Sequence, residues 1–433
     1  MAGALPRRDP LPVGTLPRRH PLPVRLFDGV QRTLAALGRR PASFLASESA
    51  LLDAARKSTG LDDFGDAGYR EGLRVLLRAY DDEARLSPFG RLMVRGELAT
   101  ILANRLRVER AWRQQPEILD PPIRRPLFIL GLPRSGTTAL HFLLAQDPAN
   151  QVLEYWLAAA PGPRPLRADW LRDARFKAAR QALRLTYYLD PSLKAIHWMT
   201  VDGPDECRHL LLQSFVDHTF DSNASIPSYT KWFESQDMRP AYARHRDVLR
   251  LIGSTSPERR WVLKYPAHLR SLRALLDVYP DACIVQTHRD PASVLPSICS
   301  LVAGWRSLYE GGVDAHAIGR QQLELYAQMM ETGLEVRAQS PSAQFFDLDF
   351  REVLADPIAA VQRIYAHFGF AWTPEGESAM RRWHAENPQG KHGEHRYSAS
   401  EYCLDAGEMD ERFAGYRTRF GVQRETAGPR RSV

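Results

Sequence analysis

Between Pro126 and Leu140 the chain reads PLFILGLPRSGTTAL, and this stretch restricts the fold more tightly than any other. LFILGL (127–132) is a short apolar run bounded by a proline and a Gly-containing turn, the pattern of a buried strand. GTTALHFLLAQD (136–147) then takes up helical spacing, so the turn must carry the strand directly into a helix. Such a junction aims the first N–H groups of the helix, and the positive end of its dipole, at one spot that suits an anion. Gly131 and Gly136 let the backbone approach ligand oxygens closely, Thr137 and Thr138 add hydroxyl donors, and Ser135 is a further cofactor-binding candidate of the same loop.

The loop departs from the nucleotide-triphosphate pattern G-x-x-x-x-G-K-[ST], which would have Lys where this chain has Thr137. The cation here is Arg134, two residues before Gly136, whose fork can hold a phosphate oxygen and a second anionic group together. The arrangement around the loop recurs downstream. WVLK (261–264), CIVQTH (283–288) and QFFDLDF (344–350) read as strands. The helical patterns LRSLRALLDVYP, PASVLPSICSLVAGW and PIAAVQRIYAHFGF follow them in turn. Strands alternating with helices at this spacing predict an α/β fold of the P-loop type, a mostly parallel sheet with helices on both faces. Residues 26–120 are helical throughout and form a subdomain packed on that sheet, with Ser49 and Ser87 as caps.

The predicted organisation is a Pro/Arg-rich tail (1–25), a helical subdomain (26–120), an α/β domain (121–420) and a flexible tail (421–433). The first tail holds a doublet, LPRRDPLPV and LPRRHPLPV, too rich in proline for helix or sheet. It carries five Arg against one Asp, and residues 421–433 carry three Arg against one Glu. The two ends thus hold six of the seven excess positive charges, and a nearly neutral body argues against nucleic acid as a partner. No stretch is apolar for the ~20 residues of a membrane helix, and the first residues lack the core of a secretion signal, so a cytoplasmic protein is expected. Cys207, Cys283, Cys299 and Cys403 are widely spaced without a CxxC pair, and His392 and His395 alone are too few ligands for zinc, so no metal is expected.

A second anion site is read at CIVQTHRDPASVLPSICSL, where Arg289 lies just past a strand end and Ser297 follows eight residues later. Two phosphate sites on nearby strands suit a nucleotide phosphorylated at both its 5′ and 3′ ends. The two motifs together resemble those of sulfotransferases that use 3′-phosphoadenosine 5′-phosphosulfate (PAPS). LPRSGTT (132–138) is similar to their 5′-phosphosulfate loop, and the Arg289–Ser297 pair to their 3′-phosphate motif. The closer resemblance is to the bacterial group with RSGTT loops. Segments such as TGLDDFGDAGYREGL (59–73), PDEC (204–207), WVLKYPAHL (261–269) and KHGEHRY (391–397) carry it, and it covers about residues 40–420.

The resemblance implies transfer of a sulfuryl group from PAPS to a hydroxyl of a carbohydrate, lipid or small metabolite, with no metal. Arg134 would stabilise charge on the bridging oxygen, and Lys264, in a family-like K-x-P, would reach the transferring sulfate. Two residues compete for the role of base. Glu154 lies twenty residues after Arg134, as in many relatives, and His268 lies four residues beyond Lys264. In close relatives Trp-Glu stands a few residues before a Pro; the matching pair here is Trp156–Leu157, which would make Glu154 a shifted substitute. Glu206 and His197 are more distant alternatives. Lys391 and Gly393 resemble a Gly-rich loop over the 3′-phosphate, with a plain basic loop as the other reading. Trp156, Trp198, Tyr229 and Trp232 could line an acceptor pocket. Two rival readings remain at this stage: an ATP-dependent P-loop kinase, which leaves the missing Lys unexplained, and a nucleotide-binding protein that has lost catalysis.

Overall fold

The computed structural model describes residues 15–16, 20–39, 41–388 and 397–425. Five parallel strands form the central sheet: β1 (Leu127–Gly131), β2 (Asn150–Val152), β3 (Arg260–Lys264), β4 (Cys283–His288) and β5 (Phe345–Asp349). Their order is β2-β3-β1-β4-β5, so the chain starts at the centre and winds outward in both directions. Ile129 of β1 is in register with Lys264 of β3, and Gly131 with Thr287 of β4. The carboxyl ends of β1, β3 and β4 therefore lie side by side at a topological switch point, where open α/β sheets bind ligands.

Alternation along β1 separates two apolar layers. Leu127 and Ile129 pack with Leu140, Leu143, Val285 and Val361. Phe128 and Leu130 face the other way and join a cluster that also holds Leu52, Leu76 and Leu102 from the N-terminal helices. Those helices, α1 (Leu22–Ala36), α2 (Glu48–Thr59), α3 (Tyr69–Asp82) and α4 (Pro88–Gln114), thus share one core with the sheet. Pro88 at the first turn and the Ser87 hydroxyl, which accepts from Gly90 N at 2.8 Å, set the start of α4. Ser49 lies inside α2 rather than at its cap. Each major strand is followed by a helix: α5 (Thr137–Leu144) after β1, α6 (Leu272–Val278) after β3, α7 (Pro291–Tyr309) after β4 and α8 (Pro357–Phe368) after β5. This is the three-layer arrangement expected, with a 3-10 turn at Pro266–Ser271 where a longer helix was read.

Three features depart from the sequence reading. Helix α1 begins at Leu22, and Thr15–Leu16 pair antiparallel with Val313–Asp314, so ordered structure reaches into the span read as a tail. At the other end Gly421–Glu425 lies against the end of β4 through Glu425, which bonds to Arg289 and Asp290. Strand β2 was not expected, because Asn150 and Gln151 are polar. Both are buried, with Asn150 donating to Leu144 O at 2.9 Å and Gln151 to Arg259 O at 2.9 Å.

Candidate active site at the strand-to-helix loop

The loop after β1 is held in a strained shape from beneath. Ser135 Oγ donates to Leu132 O at 2.5 Å and lies 2.6 Å from Thr287 Oγ1, both buried. The Ser135 hydroxyl is therefore engaged within the loop and by Thr287. Gly131 and Gly136 have φ of 132° and 85°, and a Cβ on Gly131 would strike the Thr287 carbonyl. Arg134 also takes a left-handed backbone, with φ of 68°, a conformation that persists in a non-glycine residue only when its surroundings enforce it. Thr137 opens α5, whose first amides have no partner within the helix.

A cavity of about 520 Å³ begins at this loop, with Pro133, Arg134, Gly136, Thr137 and Thr138 in its wall. Burial draws the Arg134 guanidinium below its ordinary pKa, opposed by Tyr397 and assisted by the nearby Arg289 cation. Lys264, at the end of β3, reaches the loop: its Nζ is 3.5 Å from Thr138 Oγ1 and 2.7 Å from Glu206 Oε1. Glu206 lines the cavity. Its burial favours the neutral acid, but Lys264, His197 and Arg208 outweigh this and hold its pKa below the ordinary carboxylate range. Glu206 stays ionised at neutral pH, with a cation on either side: Lys264 and, at 3.8 Å, Arg208.

The two residues proposed as base from the sequence lie elsewhere. Glu154 caps the short helix Tyr155–Ala159, and its Oε2 accepts from Arg164 at 3.0 and 3.2 Å; it is buried and off the cavity wall. Burial raises its pKa despite Arg164. His268 is fully buried between Phe128 and Tyr242, with Nδ1 2.8 Å from the Tyr242 hydroxyl. Burial, with His245 beside it, drives its pKa well below that of a free imidazole. In this structure the Glu154 carboxylate is tied up in a buried ion pair and the His268 imidazole sits in the core, so neither lines the cavity. Glu206 was legible only through the PDEC element, as a secondary choice.

Arg289, past the end of β4, turns toward the loop and donates from Nη1 to Arg134 O at 2.8 Å. Its Nε and Nη2 grip the Glu425 carboxylate at 2.8 and 3.0 Å, and its plane lies over the Phe350 ring at 4.0 Å. Ser297 is buried two turns into α7. Lys391 and Gly393 lie outside the described residues. Of the four aromatics considered for an acceptor pocket, Trp198 lines the cavity, Trp156 and Tyr229 are core, and Trp232 bonds to Glu71 instead. The rest of the cavity wall is largely apolar and aromatic: Phe142, Tyr265, Trp305, Tyr309, Tyr326 and Trp383. Among the described residues no three His, Cys, Asp or Glu side chains gather as metal ligands would.

The described geometry matches known proteins along most of the chain. Residues 126–374 match the profile described as "Sulfotransferase family". The solved structure of sulfotransferase STF1 from Mycobacterium tuberculosis H37Rv is similar at 39% identity, over 86% of this chain and 100% of that one, with a TM-score of 0.78. Sulfotransferase STF9 from Mycobacterium avium is similar at 30% identity, over 88% of this chain and 98% of that one, with a TM-score of 0.81. The omega-hydroxy-beta-dihydromenaquinone-9 sulfotransferase Stf3 of Mycobacterium bovis is 25% identical over 325 residues, which are 72% of this chain and 78% of the relative. A profile that spans more than half of the chain, together with 39% identity to a solved sulfotransferase, establishes that the chain belongs to the sulfotransferase family.

Proposed function

We propose that this sulfotransferase moves a sulfuryl group from PAPS to a hydroxyl of a lipid-like acceptor, with Glu206 as the base. One contact carries the reading. Lys264 Nζ bridges Thr138 of the anion loop and Glu206 of the acceptor cavity, so one cation joins the two halves of the reaction. PAPS supplies an electrophilic sulfur and a good leaving group, adenosine 3′,5′-bisphosphate. The loop amides, Gly136, Thr137 and Thr138 cradle its 5′-phosphosulfate, and Arg134 and Lys264 oppose the charge that grows on the bridging oxygen as the S–O bond breaks. Glu206 takes the proton from the acceptor hydroxyl as its oxygen bonds to sulfur. Arg289, with Ser297 on the helix that follows, holds the 3′-phosphate.

Support for a lipid-like acceptor comes from the cavity's aromatic wall, and the Stf3 relative is named for a menaquinone derivative. Cys207, Cys283, Cys299 and Cys403 are all free thiols, which suits a reducing cytoplasmic compartment. Titration calorimetry tests the donor half: adenosine 3′,5′-bisphosphate should bind, and Arg134→Ala and Arg289→Ala should weaken it. Preference for ATP–Mg²⁺ over the bisphosphate would overturn the reading in favour of phosphoryl transfer.

A further inference from the structure

The cavity meets solvent where exposed residues enter its wall, at Thr138–Ala139, Lys194, Leu354 and His384. Helix Ala174–Leu189 touches this rim at Thr186, which lies in the cavity wall. Its inner face is set by Phe176, Ala179 and Leu183, all buried. Its outer face presents Lys177, Gln181, Arg184, Leu185 and Tyr188, which recur at helical spacing and are all exposed.

Two properties mark this surface, although α1 and the residue after it expose five large apolar side chains of their own, Leu22, Leu26, Phe27, Val30 and Leu37. Among the described residues, four of the eleven exposed large apolar side chains fall between 166 and 188: Leu166 (78% exposed), Leu171 (65%), Leu185 (53%) and Tyr188 (57%). Residues 164–194 carry eight Lys and Arg against three Asp, one of the eight (Arg164) being buried against Glu154, while the rest of residues 26–420 is net negative; the rim helix contains no acidic residue. Arg167, Arg172 and Arg175 pair with Asp202, Asp169 and Asp173. Among the described residues Lys177, Arg180 and Arg184 have no acidic side chain within ion-pair distance.

We infer that residues 164–194 dock the enzyme on an anionic lipid bilayer, so that the acceptor enters the cavity from the membrane. The inference rests on the lipid-acceptor reading above. Leucine and tyrosine interleaved with unpaired Lys and Arg on one helix face form the pattern of an interfacial helix. The apolar tips enter the headgroup boundary and the cations meet lipid phosphates. Charge selects the occupant: a second copy of this chain would bring the same excess of cations to the interface, and repulsion would oppose it. No helix among the described residues is long and apolar enough to cross a membrane, so attachment of this kind is peripheral.

Co-sedimentation of the full chain with vesicles tests the surface. Wild type should bind phosphatidylcholine vesicles containing phosphatidylglycerol, bind pure phosphatidylcholine less, and release as salt rises. The Lys177→Gln/Arg184→Gln double variant should bind the anionic vesicles roughly ten- to thirtyfold more weakly. Leu185→Glu/Tyr188→Glu should lose binding at least as far. Two control substitutions, Leu22→Gln and Leu26→Gln, lie on the exposed side of α1 and should leave binding intact. Binding that survives both rim variants, or that is lost with the α1 pair instead, overturns the inference. So does a dimer in sedimentation velocity that the rim variants dissociate, since the surface would then belong to a second copy. Adenosine 3′,5′-bisphosphate binding, measured on the same samples, should be unchanged by the variants. If wild type fails to bind the bisphosphate yet still docks on vesicles, the donor reading falls and the docking surface stands.

Discussion

If Arg289 holds the 3′-phosphate of the donor, as proposed, then Glu425 competes with that phosphate for one guanidinium, and the strength of the competition can be worked out. Both carboxylate oxygens of Glu425 engage Arg289, and its backbone N–H is fixed by Asp290 Oδ2 at 2.9 Å. A bidentate charge-assisted pair contributes about 1.5–3 kcal/mol when well buried. The Arg289 side chain is 10% exposed, but that of Glu425 is 32% exposed. Solvent screening brings the pair to about 1 kcal/mol. A phosphate that takes over the fork must first break this pair, so Glu425→Ala should tighten bisphosphate binding by about fivefold. Calorimetric titration of wild type, Glu425→Ala and Glu425→Gln with adenosine 3′,5′-bisphosphate checks this, with adenosine 5′-phosphate as the reference ligand. The gain should be confined to the ligand with a 3′-phosphate. Equal or weaker affinity in both variants, or an equal gain for the 5′-phosphate alone, refutes competition at Arg289.

Glu206→Gln should lower kcat by about 10²–10⁴-fold while bisphosphate binding persists. Because its neighbours hold Glu206 below the ordinary carboxylate range, activity should survive acidification through the usual Glu titration near ~4.3 and fall only as pH drops through the lowered value. Glu154→Gln should act on stability instead: it strips the charge partner from Arg164 in a buried pair, at about 3–5 kcal/mol, read as a fall in Tm. Gly90→Ala drives a Cβ into the Tyr309 carbonyl where α4 meets α7, and should cost about 1–3 kcal/mol in chemical denaturation.

The loop after β1 was legible in the sequence because its geometry resides in backbone shape. A strand, a Gly-bounded turn and a helix start cannot be arranged in many ways, so LFILGLPRSGTTAL carried its geometry with it. Arg289 could be placed for the same reason, at the end of an apolar strand. The proposed base, Glu206, could not be read this way. Glu154 and Glu206 both follow the loop as single carboxylates, and spacing along the chain does not tell which one Arg164 captures. That depends on how the segment between β2 and β3 folds: Arg164, ten residues on, takes Glu154, whereas Lys264 at the end of β3 takes Glu206, a long-range contact without a local pattern. His268 failed for a similar reason: Pro266–Ser271 turns inward as a 3-10 segment and buries the imidazole against Phe128. Strand β2 escaped notice because its buried side chains are amides whose partners come from distant parts of the chain.

Helix α7 gives the protein a mechanical property. It starts at Asp290, beside the guanidinium assigned to the 3′-phosphate, and runs for 19 residues. At 1.5 Å per residue that is about 28 Å of helix. Ile298, Leu301, Val302, Trp305 and Tyr309 of the same helix line the acceptor cavity. Its far end is pinned where the Tyr309 carbonyl accepts from Ser87 N at 2.9 Å. The helix thus runs from the residue proposed for the 3′-phosphate to the cavity wall, with Pro296 inside it as the point where an i→i−4 bond is missing and a bend is easiest. Any coupling carried along this helix between the two proposed ligands is reciprocal by thermodynamic necessity. Whatever factor the donor contributes to acceptor affinity, the acceptor returns to the donor.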